Sequence, residues 1–255
     1  MENVIEINRW DSLSFLNITR PIVVRNGTRD WPISSLLNTR NLKTIYGDSL
    51  VKAVKQGSDE IRLFYIKDFV EYMERCDESN PWYITNWMFR DQFPELANGI
   101  LLPKVLSSWF DFLPKEIELN WLWMFIGPTG SFTPLHIDVM MSSAWNALFS
   151  GTKKWRFLSP KLSIHSGLVP KELTQEFTNE EYEFTCIQHP GDVLITPSGW
   201  AHEVINEGNT IAVTGNFVNE TNVNIVEKFI QTKGSYAWAK VVRHLKQKIN
   251  DGYLI

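Results

Sequence analysis

Short β-rich segments separated by turns rich in glycine and proline fill the chain between about residues 121 and 218. They read WLWMFIG, PLHIDVM, SAWNALF, KKWRFL, GDVLITP, HEVIN and TIAVTGNF. Regularly spaced short strands with turn signals between them are typical of an all-β barrel or sandwich. We therefore predict an all-β core over about residues 121–218.

The segments on either side of this core are mixed in character. In the N-terminal extension, about residues 1–120, RPIVVRN and PWYITNW are typical of strands, while IKDFVEYMERC has the apolar spacing of a helix. LLNTRNLKTIYG reads as a helix that stops at Gly47. The tail, about residues 219–255, returns to helical periodicity. No repeat or linker interrupts the chain, so we predict one domain over residues 1–255, an all-β core with flanking helices.

Composition narrows the functional classes. The 255 residues carry a formal net charge of −4 at pH 7 without a long basic run, so phosphate-driven binding of nucleic acid is not expected. No segment approaches the roughly 18 apolar residues of a membrane span, and MENVIEINRWDSLSF lacks the pattern of a signal peptide. Two cysteines, Cys76 and Cys186, make neither a disulfide framework nor a four-ligand zinc site. We therefore expect a cytoplasmic protein.

A candidate metal site is visible in PLHIDVM. Residues two apart in a strand point the same way, so His136 and Asp138 can face a single point. His202, at the start of the HEVIN strand, is a candidate third ligand. Two histidines and one carboxylate form the triad that suits non-haem Fe(II), although zinc or manganese would also accept such ligands. The alternative interpretation of the pair is a solvated strand histidine beside a turn aspartate. The other histidines read as surface or packing residues: His165, His189 and His244.

A lysine shares a strand face with aromatic residues in KKWRFL. If Trp155 and Phe157 face the interior, Lys153 does too, and a buried ammonium needs a fixed anion. The carboxylate of an organic acid is one candidate, and Asn146 and Thr214 are polar residues in apolar strands that can complete its cradle. The alternative is that Lys153 lies at the end of its strand and extends its ammonium group to water.

Taken together, TPLHIDVMMSSAWNALFSGTKKWRFLSP and PGDVLITPSGWAHEVINEGNTIAVTGNF resemble the JmjC branch of the cupin superfamily, especially the group of the JmjC lysyl hydroxylase. RPIVVRNGTRDWP resembles the opening strand and Trp-Pro turn of that family, and the resemblance covers about residues 19–220. It implies a double-stranded β-helix (a jelly-roll, cupin-like fold) that uses Fe(II), 2-oxoglutarate and O2. The segment VMMSS after the aspartate and the absence of a basic or polyserine tail depart from the family.

The resemblance also implies roles for individual residues. The iron ligands would be His136, Asp138 and His202. Lys153 would pair with the distal carboxylate of 2-oxoglutarate, and four further positions would contact this cosubstrate: Thr133, Asn146, Thr214 and Tyr83.

The expected activity is Fe(II)- and 2-oxoglutarate-dependent hydroxylation of a C–H bond in a peptide or protein side chain. Three alternatives stay open at this point. They are hydroxylation of a small metabolite or natural-product intermediate, demethylation of methyl-lysine, and a cupin-like scaffold with a structural metal. Three tryptophans are candidate walls of the site, with ordinary core packing as the alternative: Trp123, Trp145 and Trp200.

The last predicted helix offers a candidate dimer contact. An apolar face of this helix could join two copies in a homodimer, with packing against the chain's own core as the alternative. The face consists of Trp238, Val241, Val242 and Leu245.

Overall fold

The computed structural model of the chain describes residues 2–15, 18–161 and 182–252. Fourteen strands lie in these ranges: β1 Glu2–Asn3, β2 Ile5–Ile7, β3 Ile22–Val24, β4 Leu50–Lys55, β5 Ile61–Tyr65, β6 Trp82–Trp87, β7 Leu122–Gly127, β8 Phe132–His136, β9 Ser143–Ser150, β10 Lys153–Leu158, β11 Phe184–Gln188, β12 Val193–Thr196, β13 Ala201–Asn206 and β14 Thr210–Phe217.

Helices flank the strands on both sides in sequence. The α-helices with defined bounds are α1 Ile33–Leu36, α2 Thr39–Thr44, α3 Ile66–Arg75, α4 Pro94–Asn98, α5 Val223–Thr232 and α6 Tyr236–Asn250. Short 3-10 helices occur at Trp10–Phe15, Lys104–Leu106, Trp109–Phe112, Lys115–Ile117 and Val139–Met141. No helix in the described ranges is long and apolar enough to cross a membrane.

Eight antiparallel strands, β7 to β14, form the core of the fold. They are divided between two sheets, with the order β12-β9-β14-β7 in one and β11-β10-β13-β8 in the other. Successive strands alternate between the sheets, except at the β10–β11 pair. This winding is the double-stranded β-helix, so the predicted fold class is confirmed. The first sheet is enlarged to nine strands by β2 and β3 on one side and by β6, β4 and β5 on the other, and β1 extends the second.

The alternation of side chains along each strand determines which of them point into the barrel. In β10, Lys153, Trp155 and Phe157 are buried while Lys154 is exposed, as the period of two predicts. Large apolar side chains fill most of the interior because their removal from water is the main favourable term in folding. A buried lysine in such a row therefore needs a separate explanation.

The N-terminal extension covers the outer face of the large sheet. The predicted strands at β3 and β6 and the predicted helix α3 are confirmed, and α3 packs its apolar face inward through Ile66, Phe69 and Val70. The hairpin of β4 and β5 and the strand β11 were not predicted from the sequence.

The apolar face of the last helix is occupied within the chain. Val242 and Leu245 are buried in a cluster with Phe110 and Val218, and Trp238 packs against the same cluster. The core-packing alternative therefore describes this face, and a homodimer formed through it stays a prediction without structural support.

Candidate metal centre and its cavity

Three potential metal ligands converge at one end of the small sheet. His136 is the last residue of β8 and lies opposite His202 of β13 in the strand register. Asp138 follows two residues later, and one ligand atom from each of the three side chains lies within 4.8 Å of the others. The cluster that the sequence suggested is therefore assembled by the fold.

The prediction that His136 and Asp138 lie on one continuous strand is wrong. Strand β8 ends at His136, and the chain turns into a 3-10 helix at Val139–Met141. Met140 and Met141 have φ angles of 54° and 58°, in the left-handed region that L-residues rarely occupy. The turn, rather than strand alternation, positions the carboxylate beside the histidine.

Backbone carbonyls orient both imidazole rings. Nδ1 of His136 lies 2.8 Å from the carbonyl oxygen of Pro134, and Nδ1 of His202 lies 3.1 Å from that of Trp200. A carbonyl oxygen can only accept a hydrogen bond, so Nδ1 carries the proton in each ring. Nε2 then presents its lone pair, which is the arrangement that metal-ligating histidines adopt.

Only one of the two carboxylate oxygens of Asp138 has a hydrogen-bond partner. Its Oδ1 accepts a hydrogen bond of 3.1 Å from Nδ2 of Asn216, which also donates to Oγ of Ser142 at 2.8 Å. Its Oδ2 is buried and has no hydrogen-bond partner. A buried oxygen left without a partner costs free energy unless a ligand completes it.

Burial shifts the pKa values of Asp138 and His202 in opposite directions. Loss of water raises the pKa of Asp138 above its ordinary value, against the smaller opposing effects of His136 and Asn216. Burial, followed by the nearby His136, holds the pKa of His202 well below its ordinary value. Both shifts favour the neutral form of the side chain. A divalent ion would favour the ionised form of the carboxylate and would bind the neutral imidazole. The donor set therefore fits a divalent metal, and its composition suits Fe(II).

Lys153 lies deeper in the same cavity. Its side chain is buried, and its Nζ contacts the hydroxyl of the buried Tyr83 at 3.4 Å. No described carboxylate pairs with it, whereas the other buried or half-buried cations of the barrel, such as Arg25 and Arg156, have acidic partners. The cavity thus contains a positive charge that the described residues do not neutralise.

The remaining predicted contact residues line the same cavity. Asn146 is buried on β9, and its Oδ1 has no hydrogen-bond partner. Thr133 of β8 lines the cavity. Thr214 also lines it, but its hydroxyl donates to the carbonyl oxygen of Trp145 at 2.7 Å, so it can offer a bound anion only its oxygen lone pairs.

One cavity of about 660 Å³ contains the three potential ligands and all five predicted contact residues. Trp123 forms part of its wall, as predicted, whereas the indole of Trp145 packs against Trp31 on the other face of the sheet and belongs to the core. Trp200 instead packs against Phe184, and its indole N–H donates to the carbonyl oxygen of Thr19 at 3.0 Å, so it belongs to the core. The cavity is large enough for a small dicarboxylic acid with room left beside the metal ligands.

Several features of the site were not found from the sequence. Asn216, which anchors Asp138, was not predicted, although an asparagine in the apolar strand TIAVTGNF is a signal of the same kind as Asn146. Asn86, at the mouth of the cavity, has a φ of 56° within a β-bulge of β6. Of the histidines interpreted as ordinary, His189 and His244 are exposed, and His165 lies outside the described residues.

A comparison with family models identifies the second half of this barrel. The model described as "JmjC domain, hydroxylase" matches residues 159–217, a range that contains His202 and Thr214. The chain is similar to the JmjC domain over this range. Its barrel, ligand triad and buried lysine are the structural features that this resemblance implied from the sequence.

Curated proteins with similar sequences agree with a JmjC assignment. The chain is 30% identical over 187 residues to the "2-oxoglutarate and iron-dependent oxygenase JMJD4" of Danio rerio, covering 65% of the chain and 44% of the relative. It is 27% identical over 246 residues to the "Bifunctional arginine demethylase and lysyl-hydroxylase psr-1" of Caenorhabditis briggsae, covering 88% and 59%. It is 26% identical over 227 residues to the "Lysine-specific demethylase JMJ21" of Arabidopsis thaliana, covering 81% and 24%. The chain thus spans less than two thirds of each of these relatives.

Proposed function

We propose that this JmjC domain is an Fe(II)- and 2-oxoglutarate-dependent oxygenase that hydroxylates a C–H bond in a peptide or protein side chain. The observation that carries the proposal is a pair of unsatisfied polar groups in one cavity. The buried Oδ2 of Asp138 lies beside two imidazoles with free lone pairs, and the buried ammonium of Lys153 lacks a carboxylate partner. A metal ion and a dicarboxylic acid would satisfy both ends of the cavity.

The protein's own residues have distinct tasks in this proposal. His136, Asp138 and His202 would hold the iron, which supplies redox chemistry coupled to the oxidation of 2-oxoglutarate to succinate and carbon dioxide. Asn216 keeps Asp138 oriented through the hydrogen bond to Oδ1, so that Oδ2 faces the metal position.

The other end of the cavity fixes the cosubstrate. The ammonium of Lys153 neutralises the distal carboxylate, and the hydroxyl of Tyr83, which lies beside it, donates a second hydrogen bond. Asn146 adds an amide group, which can present either its oxygen or its N–H2 to a ligand. Trp123 excludes water from one side of this region.

The shape of the surroundings favours a polymer over a small metabolite. A second cavity of about 670 Å³ adjoins the first and shares Asn86, Phe125, Thr133 and His136 with it. An enzyme for a small metabolite needs only an enclosed pocket, whereas a peptide needs space that leads away from the reacting side chain. Asp59 is the one acidic residue among the described residues that line the second cavity, so this lining alone does not select a basic peptide.

Demethylation is the second candidate, because two of the relatives above are named as demethylases. It would use the same metal and cosubstrate, with the hydroxylated methyl group lost as formaldehyde. The two reactions differ only in the C–H bond that the substrate presents, so the products decide between them.

The test combines purified protein with Fe(II), ascorbate, 2-oxoglutarate and panels of lysine- and arginine-containing peptides, unmodified and methylated. The proposal predicts succinate together with a mass gain of one oxygen atom on unmodified peptides. Loss of a methyl group with release of formaldehyde would favour demethylation. Tight metal binding without succinate, across peptide and metabolite panels, would favour the scaffold alternative.

A further inference from the structure

The hairpin β4–β5 has an unusual distribution of apolar residues. Its outer face packs on α3, where Val51, Ala53 and Phe64 are buried and the rings of Phe64 and Phe69 lie 5.3 Å apart. The opposite face is also largely apolar but is open to solvent. We call this open face the hairpin platform; it consists of Leu50, Lys52, Val54, Ile61, Leu63 and Tyr65.

Exposure of the platform is large for apolar side chains in a sheet. Leu50 is 52% exposed, Ile61 56%, Leu63 58% and Tyr65 48%. The strand register pairs Leu50 with Tyr65, Lys52 with Leu63 and Val54 with Ile61, so these side chains form one contiguous surface. Contiguous apolar patches of this kind mark interaction sites more often than single exposed residues do.

The platform is continuous with the active-site face of the large sheet. Val54 lies opposite Tyr83 in the β4–β6 register, and paired residues point to the same side of a sheet. Tyr83 lines the cavity of the metal cluster, and Val54 lines the adjoining second cavity. With strands about 4.8 Å apart and residues about 3.3 Å apart, Leu63 lies roughly 12 Å from Tyr83 across the sheet, or about four residues of extended peptide.

The platform is not covered by the small sheet because the two sheets differ in width. The small sheet ends at β8, whereas the large sheet continues through β6 and β4 to β5. The free edge of β8 is itself blocked, since Pro134 has no N–H and the backbone N–H of Phe132 donates to Oε1 of Gln56 at 2.9 Å. A ligand that leaves the cavity is therefore directed over the face of the hairpin rather than onto the edge of β8.

We propose that the hairpin platform is the docking surface for the substrate segment that flanks the modified residue. The inference rests on the proposed oxygenase function and specifies the partner of that site. The partner is an extended polypeptide with apolar side chains at least about four residues from the modified position and an acidic side chain opposite Lys52. Lys52 carries the platform's only charge, and no described carboxylate forms a salt bridge with it.

The test uses labelled peptides of about fifteen residues with a central lysine or arginine. One series has alternating leucine and valine plus a glutamate in both flanks, a second has serine and glycine there, and a third repeats the first with lysine replacing glutamate. Binding is measured by fluorescence anisotropy with Mn²⁺ and 2-oxoglutarate present, and hydroxylation is measured separately by mass. The variants are Leu63→Ser and Lys52→Glu, with Ile45→Ser as the matched control because Ile45 is 60% exposed outside the platform.

We expect wild type to bind the apolar, acidic series at least about tenfold more tightly than the serine-glycine series. Leu63→Ser should remove most of that difference, and Ile45→Ser should leave it unchanged. Lys52→Glu should reverse the preference between the glutamate and lysine series.

Equal binding of all series by wild type, or equal effects of Leu63→Ser and Ile45→Ser, would overturn the proposal. So would light scattering that shows a dimer dissociated by Leu63→Ser, since a second copy would then occupy the platform. The docking surface and the oxygenase function are tested by separate results. Succinate formation by wild type without peptide discrimination removes the docking surface alone, whereas discrimination without succinate removes the oxygenase function.

Discussion

Two aspartates of the barrel, Asp192 and Asp138, show the difference between a carboxylate that holds the protein together and one that is left incomplete. Asp192 is buried, and both of its oxygens are satisfied. Its Oδ1 accepts from the backbone N–H of Asn26 at 3.1 Å, and its Oδ2 accepts from Nη1 of Arg25 at 2.6 Å and from the N–H of His189 at 2.9 Å. Asp138 has one donor on Oδ1 and none on its buried Oδ2.

The contrast distinguishes buried polar groups that stabilise the fold from buried polar groups that bind a ligand. Folding selects satisfied buried groups because each unmade hydrogen bond destabilises the native state. A group that stays unsatisfied beside two oriented imidazoles is stable only at a cost, which is the usual signature of a binding site. The matched substitutions that follow test this contrast, from the largest expected effect to the smallest.

The largest effect is expected from Asp138→Asn. Loss of the anionic ligand should lower succinate formation at least about a thousandfold, since a metal centre contributes several kcal/mol to the reaction. The free energy of unfolding of the metal-free protein should stay the same or rise, because burial already raises the pKa of this carboxyl group. Activity assays and urea denaturation check the two parts, and an unfolded variant would show that Asp138 is structural.

The same substitution at Asp192 should act in the opposite way. Asp192→Asn removes the charge that Arg25 pairs with and turns an N–H2 group toward other donors, so we expect a loss of about 2–3 kcal/mol in the free energy of unfolding. Activity per folded molecule should be retained. A stable but inactive variant would contradict the division of roles between the two aspartates.

The buried and exposed lysines of β10 provide the next comparison. Lys153→Met should raise the KM for 2-oxoglutarate about 100-fold, because a charge-assisted contact of about 2–3 kcal/mol is lost. The gain in Tm that 2-oxoglutarate gives wild type should disappear as well. Lys154→Met, on the exposed side of the same strand, is the control and should change neither quantity. Equal effects of both variants would remove Lys153 from the cosubstrate site.

The smallest effect concerns Glu6, which shares Arg25 with Asp192. The hydrogen bond from Arg25 lowers the pKa of Glu6 below its ordinary value of 4.5. A lowered pKa means that the stabilisation is present above pH 4.5 and is lost as the pH falls through the folded-state pKa. The pair is half exposed, so wild type should exceed Glu6→Gln by about 0.5 kcal/mol near pH 7. Denaturation at several pH values should show the difference vanish in acid, and a difference that grows in acid would contradict the assignment.

Strands with strict alternation were predictable from the sequence, and regions shaped by tertiary contacts were not. KKWRFL gave the correct face for Lys153 because its period of two is decided locally. The hairpin β4–β5 was missed because IRLFY has apolar residues on both faces, and the exposure of Ile61, Leu63 and Tyr65 depends on the width of a distant sheet.

The site shows the same division. The three potential ligands and Lys153 could be found because polar residues stand out in apolar strands. The turn that carries Asp138 could not be found, since the left-handed backbone at Met140 and Met141 has no glycine or asparagine to signal it. Asn216 was missed because its contact with Asp138 joins positions 78 residues apart.

The most direct test of the central claim is calorimetric titration of Mn²⁺ with 2-oxoglutarate present, on wild type and on the two aspartate variants. We predict one ion per chain for wild type and for Asp192→Asn, and no measurable binding for Asp138→Asn. Binding that persists in Asp138→Asn, or that is lost equally in both variants, would contradict the claim that the unpartnered oxygen of Asp138 belongs to a metal centre.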